Sequence, residues 1–405
     1  MTVREELYNG INIQKPWPPR MKEKEQALKK NIDRIPETIC YLSNPPKVIP
    51  IHVGRQLFVD DFLIDTSTLQ RKYYYPEPYV GNPILKPQTK IEKNEGCCPV
   101  AATFTDGVFY DSKDGLYKMW YQAGWFDGTA YAESLDGQNW YRPDLDVVPG
   151  TNMVLPFRKG YKRDGATVWI DHETKDPKSR YKLFVFFRKN EVEEIGELYI
   201  SSDGIHWNGP TITGPCGDAS SFFYNPFRKK WVFSIRKVDV EGDFHYRYRQ
   251  YYETEDFLKG ADWGRNDPVF WYGADDLDKK HAIYDCTTQL YGVDCVAYES
   301  ILLGAFEIFK GPHNRIAEEL GVPKQCDITL GYSRDGFHFC RPDRTAFLKG
   351  SEKKGTWDYG YIHASGGLCI VEKDQLRFYY SAWSGESPKY GKHMYAGGAL
   401  SLIHI

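Results

Sequence analysis

Two aspartates occupy the same position in two similar segments of this 405-residue chain. Asp164 precedes the turn residue Asp171 by seven positions, and Asp218 precedes the equivalent turn residue Asn225 by the same interval. Two carboxyl groups that converge on one site can divide acid and base chemistry when one is protonated and the other is ionised. We therefore expect Asp164 and Asp218 to be the main catalytic candidates, on condition that the fold brings them together.

Further acids lie near the starts of similar segments or in the predicted leading strand, and one of them is expected to complete the acid set: Asp61, Glu95 and Asp294. Side chains alternate across a strand, so only one of Asp60 and Asp61 can face a shared site. Asp294 lies within an apolar strand, where a charge must be paired or functional because an isolated buried charge is too costly. Glu299 ends that strand and is predicted to have a turn role.

Three other residues are candidates for binding a substrate. Arg163 precedes Asp164 and can contact an anion, and Trp125 can provide a flat surface on which a ligand ring stacks. His363 is predicted near the entrance of the last similar segment, where it can hydrogen-bond a hydroxyl or a carboxylate. A lone histidine is more often structural, and that alternative stays open.

The elements that must position these residues form a repeat. Three heptads, 134–140, 201–207 and 333–339, share the pattern Ser-x-Asp-Gly-x-x-Trp/Phe, and each follows a short aromatic strand. Asp-Gly favours a tight turn because glycine reaches positive φ without a steric cost and the carboxylate can accept backbone N–H groups. The aspartates of these heptads are therefore predicted to form turns: Asp136, Asp203 and Asp335.

Extending the alignment from each heptad towards the N-terminus gives five units, each an apolar strand, an aromatic strand and a strand that runs into the turn. Such repeats predict an all-β fold, a five-bladed β-propeller, because a blade cannot bury both of its faces alone. A β-sandwich would explain the strands but not the repeat. We expect residues 1–50 to form an N-terminal arm with one helix, residues 51–400 to form the propeller, and Gly54–Asp65 to be a strand.

Composition excludes several other classes. The net charge of -3 and the absence of a Lys/Arg run disfavour a nucleic-acid partner. Nine cysteines without a C-x-x-C pair suit a reducing compartment, and no segment has the apolar length of a signal peptide or a membrane span. We expect a cytoplasmic protein without a membrane partner, whose C-terminal end, 400–405, is truncated and not native; its oligomeric state is left open.

The repeats and the segments RQLFVDDFLID, YNPFRKKWVFSIR and YSRDGFHFCRP resemble five-bladed β-propeller glycoside hydrolases, the group around families 32 and 43 that includes gut-bacterial enzymes degrading plant polysaccharides. The resemblance covers roughly residues 50–400, but the Asn-Asp-Pro-Asn-Gly and Glu-Cys signatures of fructosidases are absent. It implies three carboxylates that project into a central funnel from different blades. Arg163-Asp164 is similar to the Arg-Asp-Pro element of fructosidases, with glycine in place of proline. The heptads are similar to a sialidase Asp-box shortened by one residue.

The resemblance implies an exo-acting glycoside hydrolase that acts on an oligosaccharide and needs no cofactor. An acid-rich funnel can also hold a structural calcium ion, although no ligand set is evident in the sequence. Two alternatives stay open: a non-catalytic propeller that binds glycans or proteins, and a glycoside phosphorylase of the same fold. A phosphorylase would require arginine and histidine beside the acids, for which only Arg163 and His363 are candidates.

Overall fold

The computed structural model describes residues 4–96, 98–241, 244–384 and 396–404. Strands dominate: β1 (Arg4–Glu6), β2 (Asn12–Gln14), β3 (Glu77–Pro78), β4 (Val100–Asp111), β5 (Leu116–Ala123), β6 (Gly128–Ser134), β7 (Met153–Leu155), β8 (Tyr161–Ile170), β9 (Tyr181–Lys189), β10 (Glu193–Ser201), β11 (Asn208–Ile212), β12 (Ser221–Asn225), β13 (Lys230–Glu241), β14 (Phe244–Thr254), β15 (Val269–Tyr272), β16 (Gln289–Tyr298), β17 (Ile301–Gly311), β18 (Gln325–Ser333), β19 (Phe339–Cys340), β20 (Ile362–Glu372), β21 (Gln375–Trp383) and β22 (Ala396–His404). The helices are α1 (Lys22–Lys30), α2 (Cys40–Ser43), α3 (Lys90–Lys93) and α4 (Asn314–Leu320), with 3₁₀ turns at Asn94–Gly96, Pro177–Ser179 and Lys259–Ala261. In the described ranges, no helix has the length and apolar character needed to cross a membrane.

The strands form antiparallel sheets in which each repeat unit follows the chain order. Three sheets have four strands, in the orders β11-β10-β9-β8, β12-β13-β14-β15 and β16-β17-β18-β19. A sheet of eight strands has the order β20-β21-β22-β4-β5-β6-β7, with β3 paired to β22. The first strands of the units, β4, β8, β12, β16 and β20, contact one another in sequence, and β20 returns to β4. This closed ring of first strands surrounds the axis of an all-β propeller.

The number of separate sheets differs from the prediction. The sequence predicted five blades, but the described residues form four large sheets because the last and first repeat units join. They join through parallel pairing of β22 with β4, in which Ala396 is opposite Val100 and Gly397 is opposite Ala101. A strand from one end of the chain thus pairs with the first unit and closes the ring without leaving an unpaired edge there.

The sheets pack face to face through large apolar side chains. Trp120 and Tyr131 of the first unit form one cluster with Val168, Leu183 and Tyr199 of the second unit, and all five are buried. Sheets that are covered on both faces require strands with long apolar runs, and β9 accordingly has the sequence YKLFVFFRK. The high aromatic content, 16% of residues, therefore serves mainly to fill the spaces between sheets.

The Asp-Gly heptads form the predicted turns. Asp203 Oδ1 accepts the N–H groups of Ile205 and His206 at 2.8 Å, and its other oxygen contacts His206 Nδ1 at 2.8 Å. Partial burial opposes ionisation, but the hydrogen bonds from His206 and its neighbours lower the pKa of Asp203 to about 2. Asp136 and Asp335 accept equivalent N–H groups in their own turns. These aspartates are committed to backbone hydrogen bonds.

Each turn is also bonded to the preceding unit. The indole N–H of Trp120 donates to the Gly204 carbonyl at 2.7 Å, and that of Trp271 donates to the Phe337 carbonyl at 2.8 Å. Tyr379 of the last unit donates to the Gly137 carbonyl of the first unit at 2.9 Å, which repeats the same contact across the closure. Gly204 has φ +80, and a Cβ there would lie 2.6 Å from the Trp120 ring. Only glycine suits both constraints.

The segment Gly54–Asp65 is not a strand, which corrects the prediction. It runs as bends and turns over the fourth unit, where Asp60 is buried and accepts Arg334 Nε at 3.0 and 2.9 Å. The N-terminal residues pack on the same unit, because Asn9 donates to the Arg334 carbonyl and Tyr41 donates to the His338 carbonyl. A long-range ion pair, rather than strand pairing, therefore determines the path of this segment.

We expect Trp120→Phe to lower the free energy of unfolding by about 1–3 kcal/mol more than Trp383→Phe does. Both tryptophans are almost fully buried and lose the same volume, but only Trp120 donates a hydrogen bond to a turn carbonyl in the described residues. Urea denaturation followed by circular dichroism measures the difference. Equal losses in the two variants would show that the bond between units contributes nothing.

Candidate active site

Asp164 and Asp218 meet at the centre of the propeller. Asp164 lies in β8 and Asp218 lies just before β12, and one oxygen of each contacts Arg188 Nη2, at 2.8 and 2.6 Å. Two oxygens that share one nitrogen at these distances are separated by no more than about 5.4 Å, which admits the roughly 5–5.5 Å carboxyl spacing of retaining glycoside hydrolases. The register in the sequence thus identified two carboxylates that the fold brings together.

A close approach of two backbones allows this meeting. β8 has a register shift between Arg163 and Ala166, and Gly165 within it has φ +108. A Cβ on Gly165 would lie 3.2 Å from the backbone nitrogen of Ala219, the residue after Asp218. Gly165 stands where the fructosidase element has proline, and it permits the close approach of β8 to the residues just before β12.

The two carboxylates have different surroundings. Asp218 contacts a second guanidinium, that of Arg236 in β13, in addition to Arg188, and this environment stabilises an ionised carboxylate. Among the described residues, Asp164 forms an ion pair with Arg188 alone, and burial raises its pKa although Arg188, Arg236 and Lys324 act in the opposite direction. The site therefore contains one carboxyl whose pKa is raised by burial and one that is paired with two guanidinium groups.

A second group of ionisable side chains is carried by β16, β17 and β20. His363 is fully buried and its Nδ1 contacts Glu307 Oε2 at 3.1 Å, while Glu307 Oε1 accepts the Ala364 N–H at 2.8 Å. Burial and the neighbouring Glu307 raise the pKa of Asp294 to about 7. Arg249, buried beside them, opposes that shift. Asp294 and His363 are therefore parts of a buried network, and Glu307 and Arg249 are members that sequence reasoning missed.

Aromatic rings surround the His363 side chain of this network. Phe104, Tyr291 and Tyr361 lie 4.6, 4.9 and 5.0 Å from the His363 ring, measured between centroids. Trp383 stacks on Tyr361 at 5.6 Å, and Trp125 contacts Trp383 edge to face at 5.3 Å. Trp125 is the partly exposed end of this series of rings, and its role as a stacking surface stays a prediction.

Asp61 and Glu95 lie elsewhere. The Asp61 side chain is 73% exposed and pairs with Arg71 at 2.6 Å on the outside of the molecule, because the predicted strand that would have turned it inward is absent. Glu95 is exposed in the 3₁₀ turn before β4, with φ +54. Within the described residues, neither has a hydrogen bond or an ion pair to the Asp164–Arg188–Asp218 group. The fold gives no support to a third carboxylate from these positions.

Arg163 is also placed differently from the prediction of an anion contact. Its side chain is fully buried, pairs with the equally buried Asp106 of β4, and donates from Nε to Thr129 Oγ1 at 3.2 Å. Burial raises the pKa of Asp106 to about 6, against the opposing effect of Arg163. This ion pair ties the first unit to the second, directly behind Asp164, and leaves Arg163 without access to a ligand.

Three cations that sequence reasoning missed lie beside the aspartates: Arg236, Arg247 and Lys324. They belong to β13, to β14 and to the residue before β18, so no shared motif connects them in the sequence. As for metals, no group of three or more His, Cys, Asp or Glu side chains able to hold an ion occurs in the part of the chain that the structure describes.

Comparison with known proteins identifies the fold. No protein-family model matches the sequence, and no curated protein is similar enough in sequence to be matched. An N-acetylgalactosamine deacetylase from F. plautii, solved with blood group B trisaccharide, is 16% identical over 80% of this chain and 96% of its own, with a TM-score of 0.50. A thermostable family-43 glycoside hydrolase is 12% identical over 75% of this chain and 90% of its own, with a TM-score of 0.51. Another structure, described as a glycoside hydrolase, is 14% identical over 81% and 92%, with a TM-score of 0.52. At such identities the similarity shows the fold alone, an all-β propeller.

We expect Arg163→Met to lower the free energy of unfolding by about 3–5 kcal/mol at pH 7, because Asp106 is left buried without its partner. Lys162→Met, which removes a neighbouring cation that is 45% exposed, should have little effect. Chemical denaturation at several pH values measures both. A carboxyl whose pKa is raised by folding stabilises the protein at low pH and loses that contribution as the pH rises, so the loss in Arg163→Met should be smaller at pH 5 than at pH 7. An equal loss of stability in both variants would contradict the stabilising role of the Arg163–Asp106 pair. A loss in Arg163→Met that is larger at pH 5 than at pH 7 would contradict it as well.

Proposed function

We propose that this protein is a glycoside hydrolase in which Asp164 and Asp218 cleave a terminal glycosidic bond of an oligosaccharide. One observation carries the proposal: β8 of one repeat unit and the residues just before β12 of the next bring two carboxylates onto the same guanidinium nitrogen. Retaining glycoside hydrolases use two carboxyl groups roughly 5–5.5 Å apart, a spacing that this arrangement admits. The propeller fold, which this chain shares with glycoside hydrolases, is consistent with a carbohydrate substrate but does not establish one.

The two surroundings suggest a division of roles. Asp164, whose pKa is raised by burial, is the proton donor to the leaving oxygen. Asp218, held by Arg188 and Arg236, is the carboxylate that attacks the anomeric carbon or activates water. The Arg188 side chain is 36% exposed, against 16% and 13% for the aspartates, so it is the member of the group that a substrate can displace.

The shape of the axis supports action on chain ends. The buried rings of Tyr361 and Phe104 pack against the buried His363 side chain. We infer that these rings form a floor at one end of the axis, on which a terminal sugar can rest with Trp125 beside its ring. Asp294 lies within the floor, so this mechanism uses only Asp164 and Asp218 as reacting carboxyls.

Purified protein and variants should be tested against aryl glycosides and plant oligosaccharides. We expect Asp164→Asn and Asp218→Asn to lower kcat/KM for oligosaccharides by about 10²–10⁴-fold, because each removes one half of the acid–base pair. Asp61→Asn is the matched control: it makes the same chemical change in an exposed carboxylate and should retain activity within about 2-fold.

Two results would contradict the proposal. Unchanged activity in Asp164→Asn and Asp218→Asn would show that the reacting carboxyls are elsewhere. Oligosaccharide binding without cleavage by the unaltered protein, across the panel, would favour the non-catalytic glycan-binding propeller, which needs the aromatic side chains but not the paired aspartates.

A further inference from the structure

Positive charge exceeds negative charge beside the paired aspartates. Arg188 and Arg236 are sufficient to balance Asp164 and Asp218. Two further cations, Arg247 and Lys324, have no carboxylate within ion-pair distance among the described residues. Arg236 pairs with Asp218 and lies over the Tyr291 ring, which packs on the Phe309 ring that Arg247 contacts. Lys324 acts on the pKa of Asp164, and Arg247 acts on the pKa of both Lys324 and Arg236.

These cations are incompletely satisfied. Nε of Arg236 and Nε of Arg247 are buried without a hydrogen-bond acceptor in the described part of the chain. Burial and the proximity of Arg247 lower the pKa of Lys324 to about 8, and burial together with Arg247 and Arg249 lowers the pKa of Arg236 to about 10. A buried donor without an acceptor is unfavourable unless a ligand provides one.

The cations are nevertheless held in place by neutral groups. Gln289 Oε1 accepts the backbone N–H of Arg247 at 3.1 Å and its Nη1 at 2.8 Å. The Arg247 guanidinium lies 5.0 Å from the Phe309 ring, and Lys324 Nζ lies 4.5 Å from the Tyr361 ring. Amide and aromatic partners fix these side chains without neutralising them, which is the arrangement expected of an anion-binding site.

We propose that Arg236, Arg247 and Lys324 form a subsite for an oxyanion group next to Asp164 and Asp218. The group is either a carboxylate or sulfate carried by the substrate sugar, or inorganic phosphate that replaces water as the acceptor. In the second case a phosphate oxygen bonds to the anomeric carbon as the glycosidic C–O bond breaks, and the proton of Asp164 passes to the leaving oxygen. The inference deepens the proposed function and rests on it for the nature of the substrate.

Binding can be measured without catalysis. Isothermal titration calorimetry of the full chain with D-galacturonate, D-galactose, sulfate and inorganic phosphate should show that at least one anion binds and that the neutral sugar binds at least 10-fold more weakly. Arg247→Met and Lys324→Met should each lower the affinity for that anion at least 10-fold. Lys349→Met, which removes a cation that is 63% exposed, should leave its affinity unchanged.

Stability measurements separate a binding role from a structural one. Because neither Arg247 nor Lys324 has an acidic partner in the described residues, Arg247→Met and Lys324→Met should unfold at the same temperature as the unaltered protein or higher. A drop in Tm in both variants, with anion affinity unchanged, would overturn the proposal.

The arms of the experiment identify the source of the anion. Tight galacturonate or sulfate binding with no effect of phosphate on cleavage assigns the subsite to a charged sugar. Phosphate binding with phosphate-dependent release of a sugar 1-phosphate assigns it to the acceptor. The two proposals can fail separately. If the unaltered protein cleaves no glycoside but the anion still binds, also in Asp164→Asn, the hydrolase proposal fails and the subsite proposal stands. Absence of binding by every anion overturns the subsite and leaves the hydrolase proposal intact.

Discussion

The structure depends on a joint between consecutive repeat units, in which a buried aromatic side chain donates a hydrogen bond to the Asp-Gly turn of the next unit. Trp120, Trp271 and Tyr379 each make this bond, and Tyr379 makes it across the point where the chain closes on itself. A single unit cannot bury both faces of its sheet, so the joints and the apolar packing must form together. The parallel pairing of β22 with β4 completes the same ring.

The joints determine where the first strands lie, and the first strands carry the site. Asp164 and Asp218 belong to neighbouring units, and the Gly165 bulge lets their backbones approach until Arg188 contacts both carboxylates. Behind them, the buried Arg163–Asp106 pair connects the first two units. The scaffold therefore sets the separation of the aspartates, while the arginines set their difference in charge.

Local features of the sequence were sufficient to predict the repeat, the turns and the meeting of the two aspartates. The turn residues are local, and the seven-residue interval from each aspartate to its turn spans a single strand. Long-range partners were not accessible in this way. Asp61 was assigned to a strand, but the segment follows the ion pair of Asp60 with Arg334, more than 270 positions away. Glu307 lies in the second strand of its unit, Arg247 lies in a third strand, and Lys324 directly precedes another third strand. No sequence motif marks these positions. The joining of the last and first sheets likewise depends on a pairing between distant parts of the chain.

The claim that Asp164 donates the proton to the leaving group can be tested by varying that group. A 2,4-dinitrophenyl glycoside of the accepted sugar departs without protonation, whereas a natural oligosaccharide does not. The measurement is kcat/KM of Asp164→Asn on both substrates, relative to the unaltered protein. The account predicts near-normal activity on the dinitrophenyl glycoside and a loss of about 10²-fold or more on the oligosaccharide. An equal loss on both substrates would contradict it.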